Sequence, residues 1–115
     1  MDEMTPLERR AIKRALKGPE PWKAQILQQL DKLQVLRRET TGCGFYTYFV
    51  AQSDIPHVQV PEQAYSIPPQ STATHPGIAG EVFFLVWLKN NQIDFLECAS
   101  GEPLTAMCVD KFIFT

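Results

Sequence analysis

Apolar residues recur along the first third of the chain at helical spacing. Leu7, Ala11, Ile12, Ala15 and Leu16 fall on one side of a helix, and Arg9, Arg10, Lys13, Arg14 and Lys17 take the other. Thr5-Pro6-Leu7-Glu8 adds a hydroxyl N-cap, a proline at the first helical position and a glutamate three residues after the cap, while Gly18-Pro19 supplies a stop. The pattern predicts a helix over residues 5–17. Trp22, Ile26, Leu27, Leu30 and Leu33 form a second stripe, so residues 5–34 read as a helical hairpin. Helices this short are marginal alone, and each stripe needs an apolar surface to lie on.

From Val35 the period shortens. Val35–Thr40 and Phe45–Val50 read as strands of one pair, joined through Thr41-Gly42-Cys43-Gly44, where two glycines suit a tight turn or bulge. Residues 51–80 contain Pro56, Pro61, Pro68, Pro69 and Pro76 and read as a Pro-rich loop with at most a short strand near Val58–Val60. Glu81–Lys89, Asn90-Asn91 and Gln92–Ser100 then form the clearest unit, a hairpin turning on two residues that tolerate left-handed backbone. Val109–Phe114 reads as a last strand. The expected fold is a single α+β domain over 1–115, with the helical hairpin packed on one face of a 4–5-stranded antiparallel sheet.

The strand after Glu81 is apolar on both sides: Val82, Phe84, Val86 and Leu88 on one, Phe83, Leu85 and Trp87 on the other. Helices can cover only one of these faces, so the other is expected to meet the Pro-rich loop or another protein chain.

Charge sharpens this picture. Residues 1–40 carry a balance of +3 and residues 41–115 a balance of −5, so a mildly basic helical part precedes an acidic sheet part. The longest apolar run, Val82–Leu88, is far short of the ~20 residues that span a bilayer, and Asp2 and Glu3 do not open a signal peptide. The expected location is the cytoplasm, with no membrane partner. A lone basic helix face in a net acidic chain gives no reason to expect nucleic acid.

Candidate chemistry is sparse. The three cysteines, Cys43, Cys98 and Cys108, contain no CxxC pair, which argues against a disulfide framework and a structural zinc site. No phosphate-cradling glycine motif is present, and no cofactor or metal is expected. Glu97 alternates with Ile93, Phe95 and Ala99 and is the best single carboxylate for acid–base work if buried; its plainer reading is a rim carboxylate paired with Arg37 or Arg38. Glu39 would approach it only if their strands are neighbours. Cys43 between two glycines is accessible to act as a nucleophile if His57 or His75 folds back to it, though a plain turn residue accounts for it as well. Catalytic residues are therefore not assigned.

The segment Arg38-Glu39-Thr40-Thr41-Gly42-Cys43-Gly44-Phe45-Tyr46-Thr47, with Gly80–Leu88 and Ile93–Pro103, resembles small bacterial proteins of unknown function. Those carry an "RE-T-G-GF-T" segment, an apolar strand, a turn, and an "LE" strand that ends in a Gly-Asp/Glu-Pro corner. The resemblance covers about half the chain and carries no catalytic residue across. The turn is Asn90-Asn91 where Asp-Gly would be commoner, and no Trp follows Ser100-Gly101-Glu102-Pro103. The expected function is a bacterial non-enzymatic binding protein, an immunity-type inhibitor that covers a basic toxin site with Glu81, Asp94, Glu97 and Glu102. The alternative is a small-molecule or enzymatic pocket between sheet and Pro-rich loop that uses Glu97, Glu39 and Cys43. Self-association through the second sheet face is compatible with either.

Overall fold

The capping box predicted at Thr5 forms in a computed structural model, which describes residues 3–52, 54–102 and 111–114. The Thr5 hydroxyl accepts from the Glu8 N–H at 3.2 Å and the Glu8 carboxylate accepts from the Thr5 N–H at 2.8 Å. These bonds start helix α1 (Pro6–Ala15). The second apolar stripe is helical only as α2 (Pro21–Leu27), and one 3-10 turn over Leu30–Lys32 leads directly into strand β1 (Leu33–Thr40). Leu33 and Val35 alternate inward from there, which ends the helix earlier than expected.

The remaining elements are β2 (Gly44–Ala51), a single helical turn α3 (Gln63–Ser66), β3 (Gln70–Thr74), β4 (Val82–Lys89), β5 (Gln92–Ser100) and β6 (Ile113–Phe114). All pairings are antiparallel, in the order β1-β2-β5-β4-β3-β6. Among the described residues the sheet therefore has six strands, where four or five were expected. The additional strand is β3, cut from the Pro-rich segment. Pro68, Pro69 and Pro76 lie outside Gln70–Thr74, so every residue of that run keeps a ladder N–H; Gln70 to Ala73 pair with β4, and Ala73 and Thr74 pair with β6. Val58–Val60 does not join the sheet; Val58 and Val60 are buried in the core and Asn91 Oδ1 accepts from the Val60 N–H. Of the expected last strand, Ile113 and Phe114 pair with β3, while residues 109 and 110 lie outside the described residues, as does Cys108.

The core occupies one side of the sheet. Val82, Phe84, Val86 and Leu88 of β4 meet Ile93, Leu96 and Cys98 of β5 and Phe45, Thr47 and Phe49 of β2 there, all buried. Of the expected helical hairpin, α1 is seen against β3 and β4, with Ser71 donating its hydroxyl to the Ala11 carbonyl, and α2 adds Ile26 to the same core. Asn90 and Asn91 both take positive φ, 54° and 61°, as the tight β4–β5 turn demands. No helix among the described residues is long and apolar enough to cross a membrane.

Two irregularities decide which side chains reach which face. Val35 pairs with Phe49 but Arg37 pairs with Tyr48, so Leu36 is an extra residue in β1. Leu88 pairs with Ile93 but Trp87 pairs with Phe95, so Asp94 is an extra residue in β5. Each bulge reverses the alternation that follows it. After Leu36, Arg38 turns inward and Arg37 outward; after Asp94, Leu96 and Cys98 turn inward and Phe95, Glu97 and Ala99 outward.

Candidate functional site

The inward turn of Arg38 meets a specific partner. Glu8 is 1% exposed, and its two oxygens accept from Arg38 Nη2 at 2.8 Å and Arg38 Nε at 3.0 Å, from the Thr5 N–H, and from the Thr47 hydroxyl. Burial alone would raise the Glu8 pKa. The Arg38 bonds, with help from Thr47, Thr5 and the guanidinium charge, outweigh it and hold the carboxyl below its ordinary range. This cluster ties the start of α1 to β1 and β2. It is a structural anchor.

The other face of the sheet is different in kind. Tyr46, Tyr48, Phe83, Leu85, Trp87, Phe95, Glu97 and Ala99 lie on it, and none belongs to the buried core; Phe83 is 40% exposed. Its central row consists of register partners on four neighbouring strands: Arg37 on β1, Tyr48 on β2, Phe95 on β5 and Trp87 on β4. Each touches the next. The Arg37 guanidinium carbon sits 4.1 Å from the Tyr48 ring centroid, the Tyr48 and Phe95 centroids are 5.4 Å apart, and Phe95 stacks on Trp87 at 5.8 Å with the planes 17° apart. Glu39 bonds Arg37 from the side, and Trp87 Nε1–H donates to Glu97 Oε1 at 2.9 Å. Both bulges flank this row. Were Leu36 paired in regular register instead of bulged, Arg37 would point into the core; were Asp94 so paired, Phe95 would do the same.

The candidate residues read from the sequence distribute unevenly around this face. Glu97 sits at its centre, bonded to Trp87 rather than to Arg37 or Arg38. It shares the face with Phe95 and Ala99 as expected, but the Asp94 bulge sends Ile93 to the core. Glu39 lies in the same row as Glu97, yet β2 and Tyr46 separate them, so the two carboxylates are not neighbours. Glu81 is exposed just before β4, and Glu102 accepts from the Ala79 N–H at the same end of the sheet. Asp94, in the bulge, is about 17 Å along the strands from that end. The four carboxylates proposed as one acidic surface thus do not converge.

Cys43 does not meet a histidine. Its carbonyl accepts from the Ser100 N–H at one end of the sheet, while His57 follows Pro56, which Gln29 ties to the Asn91 turn at the other. His75 follows β3, three strand spacings or about 14 Å from the column of Cys43, and its Nδ1 accepts from the Gly77 N–H. Cys98 faces the core, where burial, and then the Glu97 charge, push its thiol up to about 12. No group of three metal-ligating side chains occurs among the described residues.

The sequence reading missed Arg37, Tyr46, Tyr48 and Phe95 as members of one surface. The signal for the tyrosines was available in the alternation of Phe45-Tyr46-Thr47-Tyr48-Phe49, whose even positions share a face. Comparison of the chain with protein-family models, with curated proteins and with solved structures finds no match.

Proposed function

We propose that this chain is a non-enzymatic binding protein whose aromatic sheet face receives a protein partner with a basic surface, in the manner of a bacterial immunity-type inhibitor. The observation that carries the reading is the Arg37–Tyr48–Phe95–Trp87 row, turned outward by two bulges, with Arg37 exposed and its three rings only half-buried. Bulges re-aim side chains next to working surfaces, and a cluster of aromatics with few freely mobile groups is the composition of a protein-binding hot spot. Five strands at ~4.8 Å spacing and four to five rows along them give a face of roughly 400–500 Å², the size of a functional patch and about half of one side of a standard interface. The surplus negative charge of residues 41–115 supplies long-range attraction for a basic partner.

The test is calorimetric titration of the chain against the purified product of the adjacent reading frame. Binding should weaken at least tenfold with Phe95→Ala and fall with added salt. A partner bound equally well by wild type and Phe95→Ala at every salt concentration overturns the reading, as does an adjacent product that does not bind.

A further inference from the structure

One row along from the aromatic stack, Glu39 on β1, Tyr46 on β2, Glu97 on β5 and Leu85 on β4 are register partners and all face outward. Adjacent strands are ~4.8 Å apart, so Glu39 and Glu97 stand on either side of Tyr46, the Glu39 carboxylate taken by Arg37 and by the Tyr48 hydroxyl at 3.5 Å. The neighbouring row already displays what such an arrangement holds. There Tyr48 underlies the Arg37 guanidinium at 4.1 Å and Glu39 bonds it from the side, which makes a complete seat of aromatic floor and carboxylate wall. Tyr46 and Glu97 repeat that pair of residue types one strand over. No cation is recorded over Tyr46, Phe95 or Trp87 among the described residues. Glu97 is held ready: Trp87 Nε1–H fixes its Oε1, and its Oε2 has no recorded partner among the described residues.

We propose that Tyr46 and Glu97 form a seat for an arginine side chain of the partner. The inference rests on the reading that this face binds a protein, and it names the chemistry by which it does so. A guanidinium suits the seat better than an ammonium, because its plane stacks on the ring while its fork meets a carboxylate. A phosphate-bearing ligand is disfavoured by the two carboxylates, and Arg37, the one guanidinium on the face, is already engaged by Glu39.

The test follows the Trp87 indole N–H of the full chain in a nitrogen–proton correlation spectrum, since that proton is bonded to Glu97; the Trp22 indole, on α2, is the control. The probe is a blocked Gly-Arg-Gly peptide. A dissociation constant of about 1 mM is expected for one such seat, with the Trp87 signal shifting and Trp22 unmoved. The citrulline peptide, of the same shape but neutral, should bind at least tenfold more weakly. Glu97→Gln and Tyr46→Leu should each cost the arginine peptide a similar factor. Equal shifts with arginine and citrulline, or no shift at several millimolar, overturn the proposal. Against the protein partner, loss of affinity with Phe95→Ala but none with Glu97→Gln refutes the arginine seat and leaves the binding face standing; loss with neither refutes both. A wild-type mass of two chains at micromolar concentration, reduced to one by Arg37→Gln, would show instead that a second copy supplies the arginine and would overturn the proposal for a foreign partner.

Discussion

Glu8→Gln is the most informative single change to the fold, because it keeps the shape of the side chain and removes only the charge. In the wild type each Glu8 oxygen accepts two bonds, one set from the Thr5 N–H and Arg38 Nη2, the other from Arg38 Nε and the Thr47 hydroxyl. A glutamine offers one accepting oxygen and one donating nitrogen. Whichever way the amide turns, the nitrogen faces an Arg38 donor that cannot reverse. One charge-assisted bond is lost outright, at about 1.5–3 kcal/mol, and the other Arg38 bond weakens because its acceptor is now a neutral amide oxygen. Arg38 is 34% exposed and can turn its head to water, so the full ~3–5 kcal/mol of a broken buried pair is not reached. A loss of ~3 kcal/mol is expected near neutral pH, a large share of the ~5–15 kcal/mol that holds a domain together, and at roughly 4 °C per kcal/mol the melting temperature falls by about 12 °C. Chemical denaturation of both proteins across pH provides a second check. Because the folded-state pKa of Glu8 lies below its ordinary value of 4.5, the unfolded chain binds the proton first as pH falls. The ionised carboxylate therefore contributes stability that is fully present above pH 4.5 and disappears as pH drops through the lower, folded value. The gap between wild type and Glu8→Gln should narrow in that acid window. A variant within 1 kcal/mol of wild type at pH 7, or a gap that stays constant into acid, would refute the account of Glu8 as a charged anchor.

Three further outcomes follow from the same geometry. Gly44 takes φ 147° and a Cβ there would lie 1.8 Å from the Cys98 carbonyl oxygen, so Gly44→Ala should part β2 from β5 and leave little folded protein by circular dichroism; a melting temperature near wild type would contradict the pairing. At pH 8 a maleimide should modify exposed Cys43 readily and leave Cys98, buried and with its thiol pushed up to about 12, untouched until denaturant is added; peptide mapping that finds the two modified at equal rates would contradict the inward face of β5. Deleting Leu36 removes the extra residue and makes Val35 and Arg37 consecutive, so Arg37 should stay opposite Tyr48 and Arg38 on Glu8; the deletion should straighten β1 at little cost, and Leu36→Ser should change stability by less than ~1 kcal/mol because that side chain is 54% exposed. A deletion that costs ~3 kcal/mol or more in urea, the size of a stranded Glu8, would show that Leu36 is not merely the extra residue of this strand.

The parts of the fold that were legible in the sequence are those that chemistry fixes locally. Thr5 and Glu8 announce the start of α1 because a capping box is made within one turn, and Asn90-Asn91 announces the β4–β5 turn because few residues accept two positive φ values in succession. The six-strand count was not legible. Gln70–Thr74 is a polar run hemmed by prolines, and the ladders offered by β4 and β6 make it a strand. The candidate site was legible in composition but not in arrangement. The two-faced apolar strand Val82–Leu88 pointed to a surface in need of cover. Nothing at Leu36 or Asp94, neither of them glycine, marks a bulge, and without the bulges strict alternation assigns Arg37 and Phe95 to the wrong face. Glu8 shows the same limit from the other side. Its role within the helix is visible three residues away, while its bond to Arg38 joins positions thirty residues apart and depends on the bulge between them.

The Leu36 bulge couples the fold to the candidate site. By absorbing one extra residue, the bulge keeps Arg38 inward on Glu8 and Arg37 outward on Tyr48, so adjacent guanidiniums serve opposite faces of one strand. β1 is an edge strand, and its last five residues are exposed; an edge of this kind frays easily unless something holds it. The Arg38–Glu8 bond, made to α1 across the core side, is what holds it at the level of Arg37. Loosening that bond should therefore disturb Arg37 over Tyr48 and, through Glu39, the edge of the aromatic face beside the proposed arginine seat. Glu8 touches nothing on the aromatic face, so any fall in partner affinity of Glu8→Gln at a temperature where it remains folded would have to pass through β1. An Arg37→Gln exchange made in the Glu8→Gln background should then cost less affinity than the same exchange in wild type, because the two changes act on one element.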